Sequence, residues 1–106
     1  MIKVSFLKKD GSIIGFELCG HSGFAQEGAD IICSAVSSAA YMVANTVTEI
    51  LNEDAAVEVD DGYMKLIAPK VTEHNQVLFK GMALHLNALA QQYEDYLSCK
   101  EKLFKE

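Results

Sequence analysis

A chain of 106 residues has room for one domain with one modest core, so residues 1–106 read as a single unit. Half of the residues are apolar, which excludes a disordered segment, and the net charge of −6 shows no basic patch, which argues against direct nucleic-acid binding and for a basic partner. No apolar run looks long enough to span a bilayer, the start MIKVSFLKKD lacks a secretory signal's apolar stretch, and three cysteines are an odd number, so we expect a cytoplasmic protein with reduced thiols and no membrane partner.

Ile2, Val4 and Phe6 alternate with Lys3 and Ser5, the period of a half-buried strand. Ile14, Phe16 and Leu18 alternate in the same way. Asp10-Gly11 between the two runs predicts a hairpin. The second strand ends near Cys19-Gly20 and delivers His21 to the sheet edge. The stretch from His21 to Ala29 holds Ser22, Gly23 and Gly28, and reads as a loop able to close over a site. It is not a phosphate cradle, because no Lys follows Gly28 and Asp30 would repel a phosphate.

Asp30 is placed to cap a helix running to about Asn52. Its core stripe is Ile32, Val36, Ala39, Val43, Val47 and Ile50, with Cys33 and Ser37 on another face. Ser34, Ala35, Ser37, Ser38, Ala39 and Ala40 are small enough to let a second backbone approach closely. Ala55, Val57 and Val59, then Met64, Leu66 and Ala68, predict a second hairpin around Asp60-Asp61-Gly62, its acids reading as a solvated tip, stopped by Pro69. From Glu73 to Leu103 the spacing of Leu78, Met82, Leu86, Leu89, Tyr93 and Leu97 predicts a second long helix. His74 and His85 read as surface residues, Cys99 as a plain thiol, and the end KEKLFKE as a frayed tail. The order strand-strand-helix-strand-strand-helix gives an α+β fold, a small mostly antiparallel sheet packed against two long helices.

The chemistry concentrates in Gly20 to Ser38. Amides of a helix N-terminus carry partial positive charge and favour a thiolate, and an adjacent imidazolium favours it further. Cys33 in a first helical turn and His21 before the preceding loop are therefore a candidate nucleophile and base. First-turn amides could also receive a developing oxyanion. Asp30 could orient the imidazole, and the Ser37 hydroxyl could bond near the thiol or the ring. On spacing alone the plainer reading, Cys33 as a small buried hydrophobe and His21 as a polar strand end, outweighs the functional one, because single Cys and His signals do not transfer between families.

The segment Gly20-His21-Ser22, a glycine-bearing loop, then Gly28-Ala29-Asp30-Ile31-Ile32-Cys33-Ser34-Ala35-Val36-Ser37 resembles the signature of the ribosomal-processing cysteine protease family, with its His-loop-Asp-x-x-Cys-x-x-x-Ser pattern. The resemblance implies a cofactor-free cysteine endopeptidase, a homodimer, that removes the N-terminal extension of large-subunit ribosomal protein bL27 during bacterial ribosome maturation. It implies His21 and Cys33 as catalytic residues, and substrates with an apolar, aromatic-containing segment at the cut. Two other classes stand beside it. One is a zinc site on Cys19, His21 and Cys33, for which the loop offers no usual fourth ligand. The other is a non-catalytic dimeric module that binds ribosomal protein precursors.

Overall fold

The computed structural model describes residues 1–20 and 31–105. Strands β1 (Ile2–Lys9) and β2 (Ser12–Cys19) form the first hairpin. Asp10 (φ 53°) and Gly11 (φ 81°) both take left-handed conformations at its turn, the pairing whose twist matches that of the flanking strands. Helix α1 (Ile31–Asn45) continues into a wider π-helical turn, Thr46–Ile50. Strands β3 (Ala56–Asp60) and β4 (Tyr63–Ile67) make the second hairpin, and helix α2 (Glu73–Gln92) follows. A fifth strand, β5 (Leu97–Leu103), ends the fold.

The sheet order is β3-β4-β2-β1-β5, antiparallel except for the β1–β5 pair. The α+β class and the mostly antiparallel sheet under two helices are as expected. The last strand is not. Leu97 continues the spacing of Leu89 and Tyr93, which is why the helical pattern of the sequence runs on to Leu103. It is instead buried as the first residue of β5, which pairs with β1 along its whole length. Backbone pairing with an otherwise open sheet edge overrides local helical preference here. The segment expected to fray is thus an edge strand, and Lys100 and Lys102 blunt its outer side.

One layer of helices covers one sheet face. Ile2, Val4 and Phe6 of β1, Phe16 and Leu18 of β2, and Met64 and Leu66 of β4 meet Ile32, Val36, Ala40, Val43 and Val47 of the first helix and Phe79, Met82 and Leu86 of α2. Ile50, expected in this stripe, is exposed, because the π turn rotates it off the packed face. Pairing runs Leu7↔Gly15 and then Lys8↔Ile13, so Ile14 is an extra residue in β2. This bulge reverses the alternation, and Ile13 rather than Ile14 joins the core cluster. Gly15 sits where any Cβ would collide with the Leu66 carbonyl of β4.

The helix Ile31–Ile50 is long and apolar enough to cross a membrane by length and composition, contrary to the sequence expectation. Its fully buried Ile32, Val36, Ala40, Val43 and Val47 make it the core helix of this domain. The start of α2 is closed by a polar network. Thr72 caps it by accepting from the Asn75 amide (3.1 Å), while the Asn75 side chain accepts from the Thr72 amide (3.2 Å). Glu53, just past the first helix, accepts from the Thr72 hydroxyl (2.7 Å) and from Asn75 Nδ2 (2.9 Å), which also donates to the Lys70 carbonyl. Asn75 is wholly buried, and these bonds satisfy it.

Candidate active site

Cys33 is the third residue of α1 and is half-buried. Ser37, one turn later on the same face, is half-buried as well. Both line a cavity of about 190 Å³ between α1 and the strand ends. Its apolar walls are Ile2, Leu18, Val36 and Met64, and Tyr41 and Val59 stand at its margin. Cys33, Ser37 and Tyr41 are four apart in turn, so one helix face supplies all three. The thiol therefore lies beside the positive end of the helix, against a partly desolvated recess.

Gly20 lines the same cavity. Its φ of 94° is a left-handed conformation, and a Cβ there would run into the Met1 carbonyl. Its amide donates to the Gly62 carbonyl of the β3–β4 turn at 2.9 Å. The exit from β2 is thus pinned to the second hairpin, at the residue that immediately precedes His21. His21, Ser22, Gly23, Gly28 and Asp30 themselves lie outside the described residues, and so do the capping role of Asp30 and the loop read as a lid.

Cys19 also borders the cavity, but its side chain belongs to the other face of the sheet. It pairs with Tyr63, and Glu17, two residues earlier, receives a hydrogen bond from the Tyr63 hydroxyl at 2.8 Å. That bond, with burial and the charges of Glu17, Glu58 and Cys19, pushes the Tyr63 phenol up to about 12. Cys19 and Cys33 thus approach from opposite sides of the sheet, which does not suit a zinc ion held by both. Among the described residues no three His, Cys, Asp or Glu side chains gather as a metal site. None of the three cysteines is in a disulfide. Cys99 lies on β5 against α2, where its thiol donates to the Leu86 carbonyl and burial pushes its titration upward.

The sequence reading missed the second hairpin's part in this site. The turn Asp60-Asp61-Gly62, expected to be a solvated tip, keeps both acids exposed and also lines the cavity. Tyr41 carried a signal, since it continues the spacing of Cys33 and Ser37. Val59 carried none, because its alternation predicted burial.

Some of the proteins that this chain resembles are named as proteases. A Bacillus subtilis protein, the ribosomal processing cysteine protease Prp, is 27% identical over 95 residues, 83% of this chain and 85% of its own length. The ribosomal processing protease Prp of S. aureus, solved with a covalently linked product peptide, superimposes with a TM-score of 0.89 at 21% identity, covering 96% of this chain and 100% of that one. A Streptococcus mutans crystal structure matches with a TM-score of 0.84 at 29% identity, covering 98% and 96%. The sequence pattern of the family described as cysteine protease Prp extends over residues 1–98, from the first strand past the second helix, and by that match the chain belongs to it.

Proposed function

We propose that this protein is a cysteine endopeptidase in which Cys33 is the nucleophile and His21 the general base and then the general acid. One observation carries the reading: Cys33, in the first turn of α1, and Gly20, the residue before His21, line the same cavity. His21 takes the thiol proton as sulfur attacks the scissile carbonyl, and returns it to the departing amine. The resulting thioester is cleaved by water. First-turn amides of α1 receive the oxyanion, since a helix N-terminus carries partial positive charge that favours a developing anion. Ser37, on the cavity wall, and Asp30 are positioning residues for the thiol and imidazole. Gly20, Ser22, Gly23 and Gly28 give the connecting loop its freedom.

The substrate is the N-terminal extension of ribosomal protein bL27, in the cytoplasm, with no cofactor. The naming of the Bacillus subtilis relative as a ribosomal processing protease supports a ribosomal protein substrate. The net charge of −6 favours encounter with a basic protein of that kind. The working form is a homodimer, and the outward side of α1 supports this, with Ile31 and Met42 exposed around Ser34 and Ser38. Incubation with a peptide spanning the extension tests the activity. Wild type cuts it, whereas folded Cys33→Ala and His21→Ala do not. Peptide binding without cleavage by the wild type would replace this reading with that of a non-catalytic binding module.

A further inference from the structure

The sheet has a second face, and among the described residues no helix covers it. Val4, Phe6, Phe16, Leu18, Met64 and Leu66 point to the helices, so their neighbours along each strand point away. Register sets Lys3, Lys65, Lys100 and Lys102 on that outer face, Lys100 beside Ser5 and Lys102 beside Leu7. The acids that register places there are Glu17, Glu58 and Asp60, and the last two belong to β3 at the far edge. The net charge of −6, which argued against nucleic acid, therefore hides a basic region on the β1–β5 side. A cavity of about 470 Å³ lies in it, lined by buried Leu7, by Phe104 and Glu17, and by Lys65, Lys102 and Lys105. Phe104 is held in place by its amide, which donates to the Lys8 carbonyl at 2.8 Å and carries the β1–β5 pairing one step further. Glu17 accepts from the Tyr63 hydroxyl and stands 3.9 Å from Lys102, so it offsets the lysines only in part.

We infer that this outer face docks single-stranded RNA, its phosphates against Lys65, Lys100, Lys102 and Lys105 and a base stacked on Phe104. Ammonium groups ranged along a strand neutralise a sugar–phosphate backbone, and an aromatic ring accepts any base, so the site needs no sequence code. Two other anionic partners fit less well. The carboxylates of an acidic protein meet the lysines but leave the Phe104 ring unused, and a bilayer presents its anions on a plane that does not enter a recess. The choice of RNA among polyanions rests on the protease reading above, since a ribosomal protein substrate is met beside RNA. The outer face lies across the sheet from the helix that carries Cys33, so RNA and the peptide to be cut occupy opposite sides of one molecule.

Fluorescence anisotropy with the full chain and a labelled RNA single strand of about 12 nucleotides tests this. The wild type binds at low salt, and four neutralised phosphates give a log–log salt slope of about −3. Lys102→Gln with Lys105→Gln weakens binding at least about tenfold and makes the slope shallower by about 1.4. Lys70→Gln with Lys80→Gln makes the same change of charge at the start of α2 and along it, and leaves affinity and slope as they were. Phe104→Ala weakens binding by roughly 5- to 150-fold, the loss expected for one stacked base. No RNA binding at low salt overturns the inference, and so does an equal loss in the two lysine pairs. Polyglutamate that competes as well as RNA of equal charge overturns it in favour of an acidic protein. Vesicles containing phosphatidylserine that bind where RNA does not overturn it in favour of a membrane. Salt-sensitive self-association in sedimentation, abolished by the Lys102 and Lys105 changes in the absence of RNA, overturns it in favour of a second copy. The assay needs no cleavage. If the wild type binds RNA by these residues and cuts no peptide, the protease reading fails and the docking face stands.

Discussion

The two helices begin in opposite ways. At α2, Thr72 and Asn75 exchange hydrogen bonds, Glu53 binds both, and Asn75 is wholly buried. At α1, a thiol in the first turn lines a cavity that the pinned Gly20 lines as well. The same feature, a positive helix terminus, serves cohesion in one place and borders an open recess in the other. A polar group that is fully satisfied inside the protein has little left for chemistry, so the two uses separate onto different termini.

Exchanging small groups at the two termini gives the largest contrast. Cys33→Ala lowers peptide cleavage by roughly 10³-fold or more, as loss of a nucleophile does, and leaves the melting temperature within a few degrees. Asn75→Ala has the converse effect. It strips the Nδ2 donor from Glu53 Oε1 and from the Lys70 carbonyl and removes one of the two reciprocal cap bonds, costing about 2–4 kcal/mol, which for a domain of this size lowers Tm by on the order of 10–20 °C. At temperatures where it remains folded, Asn75→Ala retains cleavage, measured with the same peptide. Loss of stability in Cys33→Ala, or of activity in folded Asn75→Ala, would break the division of labour.

Much of this was legible in the sequence, though unevenly. The first hairpin, the span of α1 and the order of the elements up to α2 follow from alternation, Asp10-Gly11 and the 3.6-residue spacing. The C-terminal strand was hidden because Leu97 fits both a helical stripe and a strand. Only the free edge of β1 decides between them, and that edge exists only in the assembled sheet. The placement of Cys33 and Ser37 on one face was readable from their spacing. That Val59 would stand at the cavity margin was not, because alternation says which side of a strand a residue takes and not whether a helix lies above it.

The cysteines sharpen the contrast at a smaller scale. Cys99 is pressed under α2, donates to Leu86 and is pushed upward by burial, so little of it is thiolate near neutral pH. With iodoacetamide at pH 7.5, followed by mass spectrometry, Cys99 labels last, roughly tenfold behind the exposed Cys19. Its labelling keeps gaining rate as the pH rises further.

The smallest effect belongs to the sheet face away from both helices, where Tyr63 donates to Glu17. The folded protein holds the Tyr63 proton up to about 12, against 10.0 for the unperturbed phenol. Between those values the folded state binds more protons than the unfolded state, so stability falls as pH rises through that window. Below it the contribution is fully present. Tyr63→Phe removes the bond, costs under about 1 kcal/mol at pH 7 because the pair is partly solvated, and flattens this part of the alkaline slope. Urea midpoints at pH 9 and pH 11.5 measure the difference. An identical slope in the variant would mean that Glu17 does not hold the phenol in solution. Cleavage of the peptide stays at the wild-type level in Tyr63→Phe, because the hydroxyl lies across the sheet from Cys33.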